Sequence, residues 1–126
     1  MFRIGIIGAG WIAEKMCDAI APFTDIEIYA IASRTTEKAE AFAAEHNIGK
    51  AYGSYEEMVC DPDIDLVYIA TPHSHHYDHA MLALEHGKPV LVEKAFTANA
   101  RQAKELIETA RSKGLFITEA IWTRYM

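Results

Sequence analysis

Cysteine, positive charge and long apolar runs are all scarce in this sequence, and each shortage narrows what the chain can be. There are two cysteines, Cys17 and Cys60, far apart and in no spacing pattern. That excludes a disulfide framework or a thiolate metal site and suits free thiols in a reducing compartment. Lysine and arginine total 12 against 18 acidic residues, for a net charge of −6. Without a basic cluster there is no footprint for a nucleic-acid partner. An anionic small molecule is not excluded, because a few helix-end amides and one or two cations suffice locally. No apolar run approaches the roughly 18 residues needed to span a bilayer, so no membrane partner is expected. Met1-Phe2-Arg3-Ile4-Gly5 leads directly into a strand-like pattern without a basic-then-apolar leader, and a cytoplasmic location is expected. Repeats, low-complexity stretches and linkers are missing too. What remains is 126 residues, 51% of them hydrophobic, which fits one domain with a real core.

Strand-like and helix-like segments alternate from one end to the other. The apolar runs predict strands over 2–7, 26–32, 51–52, 66–70, 89–93 and 115–118. Helices are predicted over 11–21, 36–46, 54–59, 77–85 and 99–113. Thr35 or Thr36 suits an N-cap, and Ser54 with Glu57 three residues later reads as a capping box. Gly87 and Gly114 suit left-handed helix ends. Short, uniformly apolar strands separated by helices indicate a sheet buried on both faces. The expected fold is therefore α/β: a doubly wound, Rossmann-type sheet, mostly or wholly parallel, over residues 1–126. The last residues, Trp122-Thr123-Arg124-Tyr125-Met126, are aromatic and basic. They read as an interruption before a second domain, not as a polar tail.

Gly8-Ala9-Gly10-Trp11-Ile12-Ala13 fits G-x-G-x-x-A between an apolar strand and a helix. Gly8 permits a turn too tight for a Cβ, Gly10 lets backbone approach a pyrophosphate, and Ala13 allows close helix–strand packing. The amides of Trp11 and Ile12 then open the helix with a positive dipole end toward phosphate. The alternatives are a turn serving packing alone, or another nucleotide-like ligand such as S-adenosylmethionine. The end of the second strand bears on which ligand. NAD sites usually place Asp or Glu there for the ribose 2′-OH. This chain has Ser33-Arg34-Thr35, with Lys38 one turn on. Two hydroxyl donors and a forked cation suit a 2′-phosphate, so NADP(H) is preferred and NAD(H) remains possible. The same residues leave no acid for the ribose of S-adenosylmethionine. The alternative for Arg34 and Lys38 is that they are ordinary solvated cations.

Four histidines fall in seven residues: His73, His75, His76 and His79. No cysteine accompanies them, and Asp78 and Glu85 complete no recognisable ligand pattern, so no metal is expected. Thr71-Pro72-His73 follows a central strand at its carboxyl end, where open α/β sheets place ligands. His73 and His76 are expected to line the nicotinamide end of the cleft, and His75 and His79 to lie on the helix surface. Lys94 ends the strand at Val90-Leu91-Val92-Glu93, beside the same cleft. Desolvation and a cationic nicotinamide would lower its pKa into a range useful for proton transfer, with Glu93 orienting it. Position alone equally suits a snorkelling surface lysine.

Taken together, residues 6–13, 70–76, 87–94 and 119–124 resemble the glucose–fructose oxidoreductase/inositol dehydrogenase (Gfo/Idh/MocA) family, over essentially the whole chain. The last stretch looks most like the branch of dihydrodiol and NADP-dependent xylose dehydrogenases. The resemblance implies an N-terminal NAD(P)-binding Rossmann domain of about this length. It also implies a following α/β domain, not contained in this chain, whose open sheet binds substrate and pairs subunits into a dimer or tetramer. The implied activity is reversible hydride transfer between NAD(P) and a sugar, polyol or diol. It carries the catalytic lysine of a Glu-Lys-Pro motif onto Lys94, the cleft residues onto His73 and His76, and cofactor contacts onto Trp122 and Arg124. One residue departs from the pattern: Ala95 stands where the family usually has proline, and the loop after Lys94 loses that fixed φ. A non-catalytic dinucleotide-binding regulator of the same fold is the alternative, against which the retained Glu93 and Lys94 speak.

Overall fold

Each apolar run becomes a strand and each capped polar-apolar segment a helix in the computed structural model, which describes residues 1–93 and 100–120. The order is β1 (Phe2–Ile7), α1 (Trp11–Ile20), β2 (Ile26–Ala32), α2 (Thr36–His46), β3 (Lys50–Tyr52) and α3 (Tyr55–Val59). Then come β4 (Leu66–Ile69), a 3-10 turn (His73–His75), α4 (His76–Glu85), β5 (Val90–Glu93), α5 (Ala100–Lys113) and β6 (Ile117–Ala120). The six strands form one sheet in the order β3-β2-β1-β4-β5-β6, and every pairing is parallel. Chain order reverses at β1, which puts the switch point of a doubly wound sheet between β1 and β4.

Alternation along the strands divides the core between the two faces of the sheet. Ile4 and Ile6 of β1 pack with Ala13 and Met16 of α1 and Phe42 of α2. Ile7 packs on the opposite side with Met58 of α3, Leu84 of α4 and Leu106 of α5. Strands buried on both faces explain why the inner parts of β1 and β2, and β4 and β5, read as near-continuous apolar runs, with Arg3 and Glu27 at the outer, less buried ends. At the amino edge of the sheet, buried Lys88 donates to the carbonyls of Asp61 (2.7 Å) and Ile64 (3.0 Å). Asp61 accepts from Tyr52 at 2.7 Å, so the segment between α3 and β4 is tied down away from the opposite, ligand-facing edge.

Most element bounds lie within one residue of the sequence reading; β6 and the segment before α4 depart further. β6 begins at Ile117, not 115, because Leu115 N–H still donates to Ala110 O at 2.8 Å and closes α5. Gly114, at φ +67°, turns the chain there. The residues before α4 form a 3-10 turn, with His75 N–H on Pro72 O at 2.9 Å. Among the described residues, no helix is long and apolar enough to cross a membrane.

Candidate cofactor site

The two glycines of the turn after β1 are required for different reasons. Gly8 sits at φ +106°, and a Cβ there would lie 2.9 Å from Thr71 Cγ2 and 3.0 Å from the Ala70 and Thr71 backbone. The chain's own packing therefore demands glycine at that position. Gly10 has φ −107°, which any residue adopts, and a Cβ on it would meet nothing within 4 Å. Nothing in the protein requires the missing side chain; what it leaves is open space over the start of α1. Gly10 caps α1 without any side-chain hydrogen bond, so the first amides, those of Trp11 and Ile12, have no capping oxygen. Trp11 is 63% exposed, and the Lys15 ammonium lies 4.0 Å from its ring centroid.

The end of β2 sits beside this turn, because Gly8 N–H donates to Ala32 O at 2.9 Å. Ser33 is 5% exposed and its N–H donates to Tyr52 O at 3.1 Å. Arg34, Thr35 and Lys38 are exposed. Thr35 Oγ1 accepts from Lys38 N–H at 3.3 Å as the cap of α2, leaving its hydroxyl proton to donate outward. Arg34 makes no hydrogen bond or ion pair among the described residues. With Tyr55, Thr71, Pro72, His75 and His79 it lines a cavity of about 140 Å³. A larger open cleft, bounded by Ser33, Arg34, Ser54, Tyr55 and Asp78 among others, adjoins it. The strand end thus offers hydroxyls and a forked cation, and no carboxylate, next to a hollow with aromatic walls.

The histidine run divides by role. His76, expected to line the cleft, is instead 1% exposed and stands behind Thr71, its Nε2–H donating to Thr71 O at 2.7 Å. His79 Nδ1 lies 2.8 Å from Thr71 Oγ1. Its ring packs against Tyr55, with centroids 4.5 Å apart, and stacks on His75 at 5.7 Å. Burial first, and the neighbouring His75 second, push the His79 pKa down to about 4, so the ring is neutral at pH 7. His79 is therefore not the helix-surface residue expected from sequence, although His75 is exposed as read. The two rings hold Thr71 by its carbonyl and its hydroxyl while its methyl faces Gly8. The signal was present in the sequence: 76, 79, 80 and 83 form one helical stripe, and Ala80 and Ala83 are fully buried.

At the end of β5 the buried Glu93 carboxylate accepts a hydrogen bond from the Tyr68 hydroxyl of β4. Lys94, Ala95, Trp122 and Arg124 lie outside the described residues, as does the side chain of His73, whose backbone belongs to the 3-10 turn. Ligand-type atoms of Glu14, Glu45 and His46 come within 4.8 Å of one another on α1 and α2, away from the histidine run.

A parallel switch-point sheet with such a turn defines the Rossmann class of nucleotide-binding domains. Residues 2–120 match the Gfo/Idh/MocA oxidoreductase family, with its NAD-binding Rossmann fold, and the chain belongs to that family. It is 51% identical to D-xylose 1-dehydrogenase (NADP(+)) of Hypocrea jecorina, over 96% of this chain and 34% of that protein. It is 46% identical to trans-1,2-dihydrobenzene-1,2-diol dehydrogenase of Xenopus tropicalis, over 96% of this chain and 37% of the relative. Among solved structures, KijD10, a 3-ketoreductase from Actinomadura kijaniata in complex with NADP, superposes with a TM-score of 0.88 at 34% identity, over 94% of this chain and 38% of that one. The chain spans about a third of the length of the relatives it matches.

The glycine pair separates folding from binding. Gly8→Ala is expected to lower unfolding free energy by about 2 kcal/mol or more, from positive-φ strain and backbone overlap. Gly10→Ala should change stability by less than about 0.5 kcal/mol and weaken dinucleotide binding about tenfold or more by filling the approach of the pyrophosphate. Urea midpoints and ligand titrations check both, and a Gly10→Ala chain with undiminished affinity would show that the space serves another purpose.

The depressed pKa of His79 gives a stability window. The folded state binds fewer protons than the unfolded chain between about 6.5 and about 4. The contribution is complete above pH 6.5 and is lost as pH falls toward 4. His79→Gln, which does not titrate, should lose less stability between pH 7 and pH 5. The difference from the unaltered chain should be roughly 1 kcal/mol, a figure already reduced for the half-exposed ring. Parallel pH–stability curves for the two chains would count against the assignment.

Proposed function

We propose that this chain is the NADP(H)-binding domain of an oxidoreductase that moves a hydride between nicotinamide and a carbon of a sugar, polyol or diol. The observation that carries the cofactor choice is the end of β2, where Ser33, Arg34 and Thr35 stand in place of a carboxylate and Arg34 borders the aromatic-walled cavity. A carboxylate there would repel a 2′-phosphate; hydroxyl donors and a guanidinium attract it. Charge-assisted bonds contribute about 1.5–3 kcal/mol each, so two of them favour NADP over NAD by roughly 10² to 10⁴. The space over Gly10 and the amides of Trp11 and Ile12 suit the pyrophosphate. The cavity between Arg34 and the Tyr55 and His79 rings suits a planar base.

The bound cofactor supplies or accepts the hydride, and the chain's own residues provide the positioning and the proton. Lys94, immediately after Glu93, passes a proton to or from the substrate oxygen. His73, Trp122 and Arg124 are assigned to the nicotinamide side by family resemblance. The substrate class follows from the names of the relatives, which act on xylose, a dihydrodiol and a keto group. A following α/β domain in the longer protein would supply the substrate surface and the contacts of a homo-oligomer, in the cytoplasm.

Titration of this chain with NADPH and NADH should show tighter binding of NADPH, and Arg34→Ala should remove most of the difference while hardly affecting NADH. Equal affinities in the unaltered chain would sink the cofactor assignment. In the longer protein, Lys94→Met should cut turnover by about 10² to 10⁴ with NADPH affinity nearly unchanged. Normal turnover with an unaltered pH profile would make Lys94 a bystander.

A further inference from the structure

Trp11 is a large aromatic side chain that the fold does not bury: it is 63% exposed at the first position of α1. Its observed partner is Lys15, one turn on, whose ammonium lies 4.0 Å from the ring centroid. Helical side chains lean toward the amino end, so this contact carries the ammonium back to the side chain that opens α1, next in sequence to Gly10. The carboxylate of that turn, Glu14, would repel a phosphate, but it lies toward α2, with Oε1 3.8 Å from His46 Nε2. The first turn therefore presents a cation on one flank and has its acid drawn aside on the other. In a chain of net charge −6, a local cation of this kind counts for more than in a neutral one.

We infer that Lys15 is the cationic partner of the cofactor's pyrophosphate and that Trp11 is the platform holding it there. This rests on the dinucleotide reading above and adds a residue pair to it. Ammonium–indole contact at an exposed site is weak but sufficient to bias a flexible side chain. Because the pyrophosphate is common to NAD and NADP, Lys15 acts on both equally, whereas the discrimination between them falls to Arg34 at the 2′-phosphate.

The test uses this chain and four probes: NADPH, NADH, ADP-ribose, which keeps the pyrophosphate, and adenosine 2′-monophosphate, which lacks it. Lys15→Met should weaken the first three about five-fold, flatten their salt dependence and leave the fourth unchanged. Lys15→Arg should restore affinity. Trp11→Ala should weaken the first three in the same direction and Trp11→Phe should not, since a phenyl face still holds a cation. Circular dichroism of each variant should match the unaltered chain, as both residues are exposed. Lys15→Met with undiminished affinity for NADH and NADPH overturns the inference, and so does an equal loss for adenosine 2′-monophosphate. An unaltered chain that binds neither dinucleotide overturns the cofactor reading and this inference with it.

Discussion

The passage of Gly8 across Thr71 is the contact on which the rest of the ligand-facing edge depends. With a Cβ excluded there, β1 turns directly into α1 over the end of β4, and the helix amides emerge at the switch point of the sheet. Two backbone bonds lock the arrangement, from Gly8 N–H to Ala32 O and from Ala70 N–H to Ile7 O. The ends of β2, β1 and β4 thus share one register. Thr71 is itself held from behind by His76 and His79, so α4 takes part in shaping a turn that is distant from it in sequence. A neutral His79 fits this position, since a charged ring, half-buried there, would need a partner.

The electrostatics are local and do not follow the net charge. An acidic chain can still favour an anion locally, where uncapped helix amides and a small number of placed cations meet it and the nearby acid, Glu14, lies toward His46. At the end of β2 the placement is by folding: Gly53 leaves room only for Thr36, whose Oγ1 would stand 2.2 Å from a Cβ there. That close seat fixes the start of α2 and, with it, Arg34 and Thr35. Tyr55, at the start of α3, closes the hollow from the other side.

Much of this was legible in the sequence. Strands buried on both faces print near-continuous apolar runs, and Thr35, Ser54, Gly87 and Gly114 mark helix ends by chemistry that does not depend on tertiary context. The parallel switch-point sheet follows from alternation alone. What escaped was set by packing. Leu115 has strand composition but finishes the cap of α5, and Phe116 already accepts from Val90 of β5. His75 and His79 are one turn apart by a helical count, but the 3-10 turn before α4 takes His75 off the helix and leaves it exposed, while His79 stays on the stripe with Ala80 and Ala83 and packs against Thr71. The different reasons for Gly8 and Gly10 were already given by their places in the motif, and the neighbours of an imagined Cβ agree with them: Thr71 and Ala70 crowd Gly8, and nothing in the protein crowds Gly10.

The strand order bears on how recognition and chemistry would be divided. Neighbouring strands stand about 4.8 Å apart, so β5, two strands from β1 in the sheet, lies about 10 Å from the glycine turn. The residues proposed for nucleotide recognition gather at the ends of β1 and β2, while Glu93 closes β5 on the far side of β4. The end of β4 stands between them, and it is bonded to both sides: Tyr68 donates to Glu93 and the Thr71 methyl abuts Gly8. A change at His76 or His79 acts on Thr71 and hence on the glycine turn, whereas a change at Tyr68 acts on the carboxylate next to Lys94. β4 thereby sets the spacing between the glycine turn and Glu93, without Thr71 or Tyr68 having to touch a substrate.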